Sequence, residues 1–352
     1  MLPTALSKIQ GTFLGCAIGD AMGMPVETMT ADGILKVTDG KGVTTFMDAK
    51  QRNLKSISNY KAGDTTDDWQ LTAAIARALI KNRCYRTGDT VNEQLLEFER
   101  CTNGWGSSTK RSFKEIKEWF DSEGKSGRDP GLPVAPNEEI FGCGNGVAMK
   151  IAAIALHHSL DCLNHGTLSG QIMEQGRLTH PDFRASHAAY AVAWLLTRTF
   201  LRPLQAGIFV RDDIEKELFT LILEVEMVER LFPDPQAAED RISSRLRKIF
   251  HGKMLDDPAA LRVKIGTSCF SLESIPFSIA TFLRNPTDFR AGVLEAINAG
   301  GDTDSNAAMV GALIGANCGV EAIPTEWRSF RKEFEEPIKL GEEFHRTFNS
   351  IR

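Results

Sequence analysis

Gly11-Thr-Phe-Leu-Gly-Cys-Ala-Ile-Gly-Asp-Ala-Met-Gly23 sets a glycine at every fourth position, and Ala307-Ala-Met-Val-Gly-Ala-Leu-Ile-Gly-Ala-Asn-Cys-Gly319 keeps the same interval near the other end of the chain. Residues four apart lie on one face of an α-helix, so each segment reads as a helix with a narrow stripe bare of side chains. Glycine inside a helix costs about 1 kcal/mol relative to alanine. Close backbone approach to a neighbouring helix offsets that cost. The stripes therefore predict that these two helices lie near the core centre and hold the functional site in between. A transmembrane use of the spacing fails, because Lys8 and Asp20 bracket an apolar run too short to span a bilayer.

Outward from these segments, apolar residues recur at three- and four-residue spacing while strand-like alternation is nearly absent, which makes the fold all-α. The pattern predicts helices over 4–22, 66–82, 91–101, 109–121, 146–158, 168–178, 184–201, 212–231, 236–251, 273–284, 288–299, 304–318 and 324–335. No low-complexity linker divides the 352 residues, and the richest loop stretch, Gly124 to Asn145, lies between helical patterns. One compact domain over 1–352 is expected. Hydrophobic residues at 42% and charged residues at 25% match ordinary globular proteins and exclude a disordered chain.

A net charge of −5 carries no electrostatic footprint for nucleic acid or an anionic membrane. The densest basic clusters, Lys110, Arg111, Lys114 and Lys117, and Arg241, Arg245, Arg247 and Lys248, are interleaved with acids or apolar residues at helical spacing and read as solvated helix faces. Seven scattered cysteines without a Cys-x-x-Cys pair suggest neither a disulfide framework nor a zinc site. A reducing compartment, the cytoplasm, and a monomer are the expectations.

Chemistry concentrates in two acidic segments. Gly63-Asp-Thr-Thr-Asp-Asp68 precedes the buried stripe Leu71, Ala74, Ile75, Ala78 and Leu79, and Gly300-Gly-Asp-Thr-Asp-Ser305 precedes Ala308, Val310 and Leu313. Each cluster thus stands at a helix start, where a Thr or Asp side chain caps orphan N–H groups and a carboxylate meets the positive end of the dipole. Capping does not require two acids at both sites. Hard oxygen donors without neighbouring His or Cys suit Mg²⁺, Mn²⁺ or Ca²⁺ and not zinc. Neither segment has the spacing of an EF-hand loop, so the donors must converge from opposite ends of the chain.

Gly19-Asp-Ala-Met-Gly-Met-Pro-Val-Glu27, Gly63-Asp-Thr-Thr-Asp-Asp68, Gly144-Asn-Gly-Val-Ala-Met-Lys150 and Gly300-Gly-Asp-Thr-Asp-Ser305, taken in order, resemble the motifs of the ADP-ribosylglycohydrolases, including the dinitrogenase reductase-activating enzymes. The resemblance implies a compact, single-domain, orthogonal helical bundle with a binuclear metal cleft. It implies two Mg²⁺ or Mn²⁺ ions held by Thr66, Asp67, Asp68, Asp302, Asp304 and Ser305, the last usually Thr in the family. Serine keeps the hydroxyl and loses a methyl.

The resemblance further implies hydrolysis of the glycosidic bond that joins ADP-ribose to a modified protein side chain, most commonly arginine, with ADP-ribose as product. Glu27, Asp67, Asp68, Asp302 or Asp304 would activate water or protonate the leaving group. Pro25 places Glu27 in a loop beyond the first helix, mobile enough for a gate or a general base. Phe141, Gly142, Cys143, Gly144, Asn145 and Gly146 precede the helix expected from Val147, an arrangement that suits a diphosphate cradle, and the matching loop contacts ADP-ribose in relatives. Cys143 stands where some relatives carry an aromatic residue and Lys150 where Arg is usual. His180 matches a position near the substrate, whereas His157, His158 and His187 read as structural and Trp69 as packed inward. Serine-linked or small-molecule ADP-ribosyl substrates and a non-catalytic ADP-ribose-binding module are the alternatives. A metal phosphohydrolase is a third, normally marked by His ligands or a phosphate-binding lysine.

Overall fold

The computed structural model describes residues 2–49, 60–102, 104–129, 131–134, 142–161, 165–202, 213–234 and 240–349. Among them the α-helices are α1 (Ala5–Gly23), α2 (Ala31–Val37), α3 (Asp67–Asn82), α4 (Thr87–Arg100), α5 (Ser107–Glu123), α6 (Ala152–Asp161), α7 (His165–Thr179), α8 (Phe183–Leu201), α9 (Ile214–Leu231), α10 (Ile242–His251), α11 (Pro258–Ile265), α12 (Ser271–Arg284), α13 (Phe289–Asn298), α14 (Thr303–Cys318), α15 (Thr325–Arg328) and α16 (Glu335–Asn349). Extended pairing among the described residues amounts to two antiparallel bridges, Thr30 with Gly300 and Gly144 with Phe270. The chain is an all-helical, single compact domain, and none of its described helices is long and apolar enough to cross a membrane.

Both glycine-striped helices lie at the centre. α1 is buried from Ser7 to Gly23 and α14 from Thr303 to Asn317, with no polar face on either. Helices apolar all round belong inside a core. They run antiparallel in backbone contact: a Cβ on Gly11 would lie 2.7 Å from the Gly315 carbonyl oxygen, and at Gly15, Gly19 and Gly23 the approach to Gly311, Ala307 and Thr303 is closer still. Nothing fits between such surfaces, so the site expected in between lies instead at the end of the pair. There the last turn of α1 meets the first turns of α14 and α3. α3, α8, α12, α13 and α16 pack around this axis.

A satellite cluster of Leu71, Val91, Leu95, Trp105, Phe113 and Ile116 holds α3, α4 and α5 together. The clusters read as solvated faces are paired in part: Lys117 with Glu99 at 2.6 Å and Asp121 at 3.2 Å, Arg245 with Asp240 at 2.7 Å, and Arg247 with Glu226 at 2.6 Å.

The structure departs from the periodicity in several places. The helix expected over 146–158 is a turn, a 3₁₀ segment Ala148–Lys150, and α6 only from Ala152. The helix expected over 324–335 is the single turn α15, followed by a 3₁₀ turn and then α16, whose start is disguised by Pro337, a residue the first helical turn tolerates. α2 and α11 were not expected, because caps rather than long apolar stripes define them: Thr30 Oγ1 accepts from Gly33 N–H at 3.1 Å and Asp257 Oδ1 from Ala260 N–H at 2.9 Å. Phe141 and the first residues of the helices expected from 212 and 236 lie outside the described residues.

Candidate metal centre and active site

α3 and α14 aim their N-termini at one point, and neither is capped by the side chain at its N-cap position. Thr66 and Asp302 occupy the N-cap positions, yet neither side chain makes a capping hydrogen bond. Within the segments a first-turn backbone N–H is met only at α14, where Asp304 Oδ1 accepts from Ser305 N–H at 2.9 Å, so capping does not account for the remaining acids. The caps of α3 come from Asp20 on α1, which accepts from Thr66 N–H at 2.9 Å and Trp69 N–H at 3.1 Å. The sequence reading did not select Asp20. Its signal was an acid in the stripe-bearing helix with no cation at helical spacing beside it.

Carboxylate oxygens of Asp20, Asp68 and Asp304 lie within 4.8 Å of one another, as do those of Glu27, Asp302 and Asp304. Asp304 belongs to both groups. Asp68 Oδ2 faces the hydroxyls of Thr66 and Ser305, each at 3.4 Å, while Asp68 Oδ1 is buried with no hydrogen-bond donor among the described residues. An anionic oxygen left without a donor in a buried site is expensive unless a cation meets it. The residues present therefore fit a divalent cation.

Neighbouring segments fix these acids. Asn145 Nδ2 donates to Asp302 Oδ2 at 2.6 Å and to Ser274 Oγ at 2.9 Å, and Gly106 N–H donates to Asp67 Oδ2 at 3.2 Å. Glu27 sits on a turn tied to the entry of α14: Thr28 N–H donates to Gly301 O at 2.6 Å and Gly301 N–H to Met29 O at 2.8 Å. Gly300 and Gly301 both have positive φ, and a Cβ on Gly300 would strike the Met29 carbonyl, so glycine is required there twice over. Glu27 is half-buried on this turn, beside Asp302 and Asp304.

A cavity of about 300 Å³ opens over this centre, walled by Glu27, Asp67, Asp68, Gly144–Gly146, His180 and the start of α5. The last wall was not anticipated. Gly144 and Gly146 wrap His180: a Cβ on Gly144 would stand 3.2 Å from His180 Nε2, and one on Gly146 2.9 Å. The loop is clipped to Cys269 by the Asn145 N–H at 3.0 Å. α6 begins at Ala152, not at Val147, so the cradle cannot draw on the positive end of that helix.

Burial, reinforced by the Lys150 charge, lowers the His180 pKa to about 3, which keeps the imidazole neutral. Lys150 is itself buried and turned toward α4, where Nζ donates to Gln94 Oε1 at 3.0 Å, and burial brings it down to about 8. Trp69 packs inward against Phe13, with ring centroids 6.0 Å apart, as expected. His157, His158 and His187 are buried in α6 and α8, away from the cavity walls.

Burial also pushes Asp20 and Asp67 up to about 7, with the neighbouring Asp302 and Glu27 charges adding to the effect at Asp67. Asp68, Asp302 and Asp304 are raised chiefly by burial too. A carboxyl whose folded-state pKa lies above its unfolded value stabilises the fold fully below about 4, and that contribution is lost as pH rises through about 7. Metal-free protein is therefore expected to melt at a lower temperature at pH 8 than at pH 5.5. Mg²⁺ or Mn²⁺ should raise the melting temperature more at pH 8. A metal-free melting temperature that climbs from pH 5.5 to pH 8 would refute this account.

Fold and site together define an all-helical protein with a buried carboxylate centre at the floor of a cleft. A family model described as ADP-ribosylglycohydrolase matches residues 1–350. The chain is 26% identical over 364 residues to ADP-ribosylhydrolase ARH3 of Mus musculus, covering 98% of this chain and 92% of that protein. It is 24% identical over 328 residues to ADP-ribosyl-[dinitrogen reductase] glycohydrolase of Rhodospirillum rubrum, covering 93% and 91%. A solved structure titled ADP-ribosylglycohydrolase-related protein complex superposes with a TM-score of 0.67 at 25% identity, covering 97% of this chain and 98% of that one. The chain belongs to the ADP-ribosylglycohydrolase family, a metal-dependent family acting on ADP-ribosylated substrates.

Proposed function

We propose that this protein hydrolyses the glycosidic bond between ADP-ribose and a modified protein side chain, with arginine as the acceptor and two Mg²⁺ or Mn²⁺ ions as cofactors. The observation that carries this reading is the donor-less Asp68 Oδ1 beside two carboxylate groups that share Asp304, at the floor of the cavity. Thr66, Asp67, Asp68, Asp302, Asp304 and Ser305 would hold the ions, and the sharing of Asp304 supports a count of two. Bound ions supply Lewis acidity and a template for the ribose hydroxyls.

The chain's own groups do the rest. Asn145 orients Asp302, and Glu27, half-buried at the cavity edge, would move a proton to or from the scissile centre. Neutral His180 offers a hydrogen bond without adding charge, and its ring shapes the Gly144–Gly146 wall against which the substrate would lie. Arginine is favoured by the acidic cavity, which suits a guanidinium leaving group.

Incubation with Mn²⁺ and either ADP-ribosyl-arginine protein or ADP-ribosyl-serine peptide tests the reading. Free ADP-ribose is expected from the arginine conjugate. Release from the serine conjugate alone would move the acceptor to serine. Tight ADP-ribose binding without release from either would leave a binding module.

A further inference from the structure

Asp20 is the single acidic residue of α1, is fully buried, and has both oxygens occupied. Oδ1 accepts the Thr66 hydroxyl at 2.8 Å and Thr66 N–H at 3.1 Å, and Oδ2 accepts Thr66 N–H at 2.9 Å and Trp69 N–H at 3.1 Å. A carboxylate has about four lone-pair sites. Asp20 thus differs from Asp68, whose Oδ1 receives nothing, although the two carboxylates lie within 4.8 Å of each other and of Asp304.

We propose that Asp20 is a positioning residue: by accepting hydrogen bonds from the Thr66 hydroxyl, the Thr66 N–H and the Trp69 N–H, it turns the Thr66 oxygen toward Asp68 as a neutral metal ligand. The geometry on the far side of Thr66 agrees, since its oxygen lies 3.4 Å from Asp68 Oδ2, on which Ser305 Oγ also converges at 3.4 Å. Groups that orient a ligand through a hydrogen bond govern metal affinity without touching the metal. In a direct-ligand role Asp20 would have to share with an ion the oxygens that already hold Thr66 and cap α3. The inference rests on the metal-dependent reading above and concerns only how the ligands are held.

Calorimetric titration of the full chain with Mn²⁺ tests it independently of hydrolysis. Asp20→Asn keeps one acceptor and turns an NH₂ group against two N–H donors, so Mn²⁺ should bind 10- to 100-fold more weakly. Glu229→Gln serves as the control, because Glu229 makes the same kind of cap on α10, accepting from Ser243 N–H at 3.1 Å and Oγ–H at 2.6 Å, away from the cavity. Its Mn²⁺ affinity should stay at the wild-type value.

Thr66→Val keeps the Asp20 carboxylate and loses the hydroxyl. It should match the Asp20→Asn loss, and Thr66→Ser should recover most of it. This pair keeps the inference open to refutation even if Asp20→Asn does not fold. Wild-type affinity in Asp20→Asn or in Thr66→Val overturns the inference alone. Failure of the wild-type protein to bind Mn²⁺ overturns the proposed function and this inference with it.

Discussion

Asp304→Asn is expected to leave the chain folded while lowering kcat/KM for ADP-ribose release by about 1000-fold, which corresponds to ~4 kcal/mol of transition-state stabilisation. The reason is its place in both carboxylate groups, one with Asp68 and one with Glu27 and Asp302. Most single ligands serve one group, so Asp302→Asn should also abolish most turnover but leave part of the metal binding. A second readout separates loss of chemistry from loss of fold. Removing one buried charge from a crowded set relieves repulsion, so metal-free Asp304→Asn should melt higher than metal-free wild type at pH 8. Its melting temperature should respond little to added Mn²⁺. Thermal melts with and without chelator, beside an ADP-ribose release assay, check both statements, and near-wild-type turnover would remove Asp304 from the ligand set.

Gly19→Val is expected to destabilise the protein by about 3 kcal/mol or to prevent folding. Helix propensity alone favours replacing glycine in a helix, by roughly 1 kcal/mol for alanine. At Gly19 that gain is overwhelmed, because a Cβ would meet the Ala307 carbonyl and, at 2.6 Å, the Ala308 nitrogen. These are backbone atoms with no rotamer to change. α1 and α14 would have to separate, and overpacked cores lose about 1–3 kcal/mol even where side chains can yield. Gly170→Ala on α7 provides the contrast, since nothing lies within 4 Å of its Cβ position. That substitution should stabilise by about 0.5–1 kcal/mol. Denaturant unfolding of the two variants reads the difference in sign directly. Equal effects would mean that the stripes do not touch.

Much of the candidate site is legible in the sequence. The two acidic segments, Glu27 and the Gly144–Gly146 loop do converge on one cavity with His180. The role of Asp20 has no local signature, because its partners, the Thr66 hydroxyl and the N–H groups of Thr66 and Trp69, lie 46 and 49 positions away. The start of α5 has none for a related reason: its place over the cavity follows from the packing of Trp105 and Phe113 against Leu71, a contact between separate helices. Lys150, expected on a helix over 146–158, stands instead on a 3₁₀ turn, and its side chain is directed toward Gln94.

Periodicity by itself determined that the chain is helical, that α1 and α14 are bare on one face, and that hard oxygen donors cluster at two helix starts, because each is a matter of spacing along one segment. The tertiary structure decided what those features are for. It set the glycine stripes against each other so closely that the site moved to the end of the helix pair. It also supplied α3 with a cap from α1, which freed Thr66 and the acids of that segment from capping. Distances between segments depend on packing, and packing is a property of the whole chain rather than of any stretch within it.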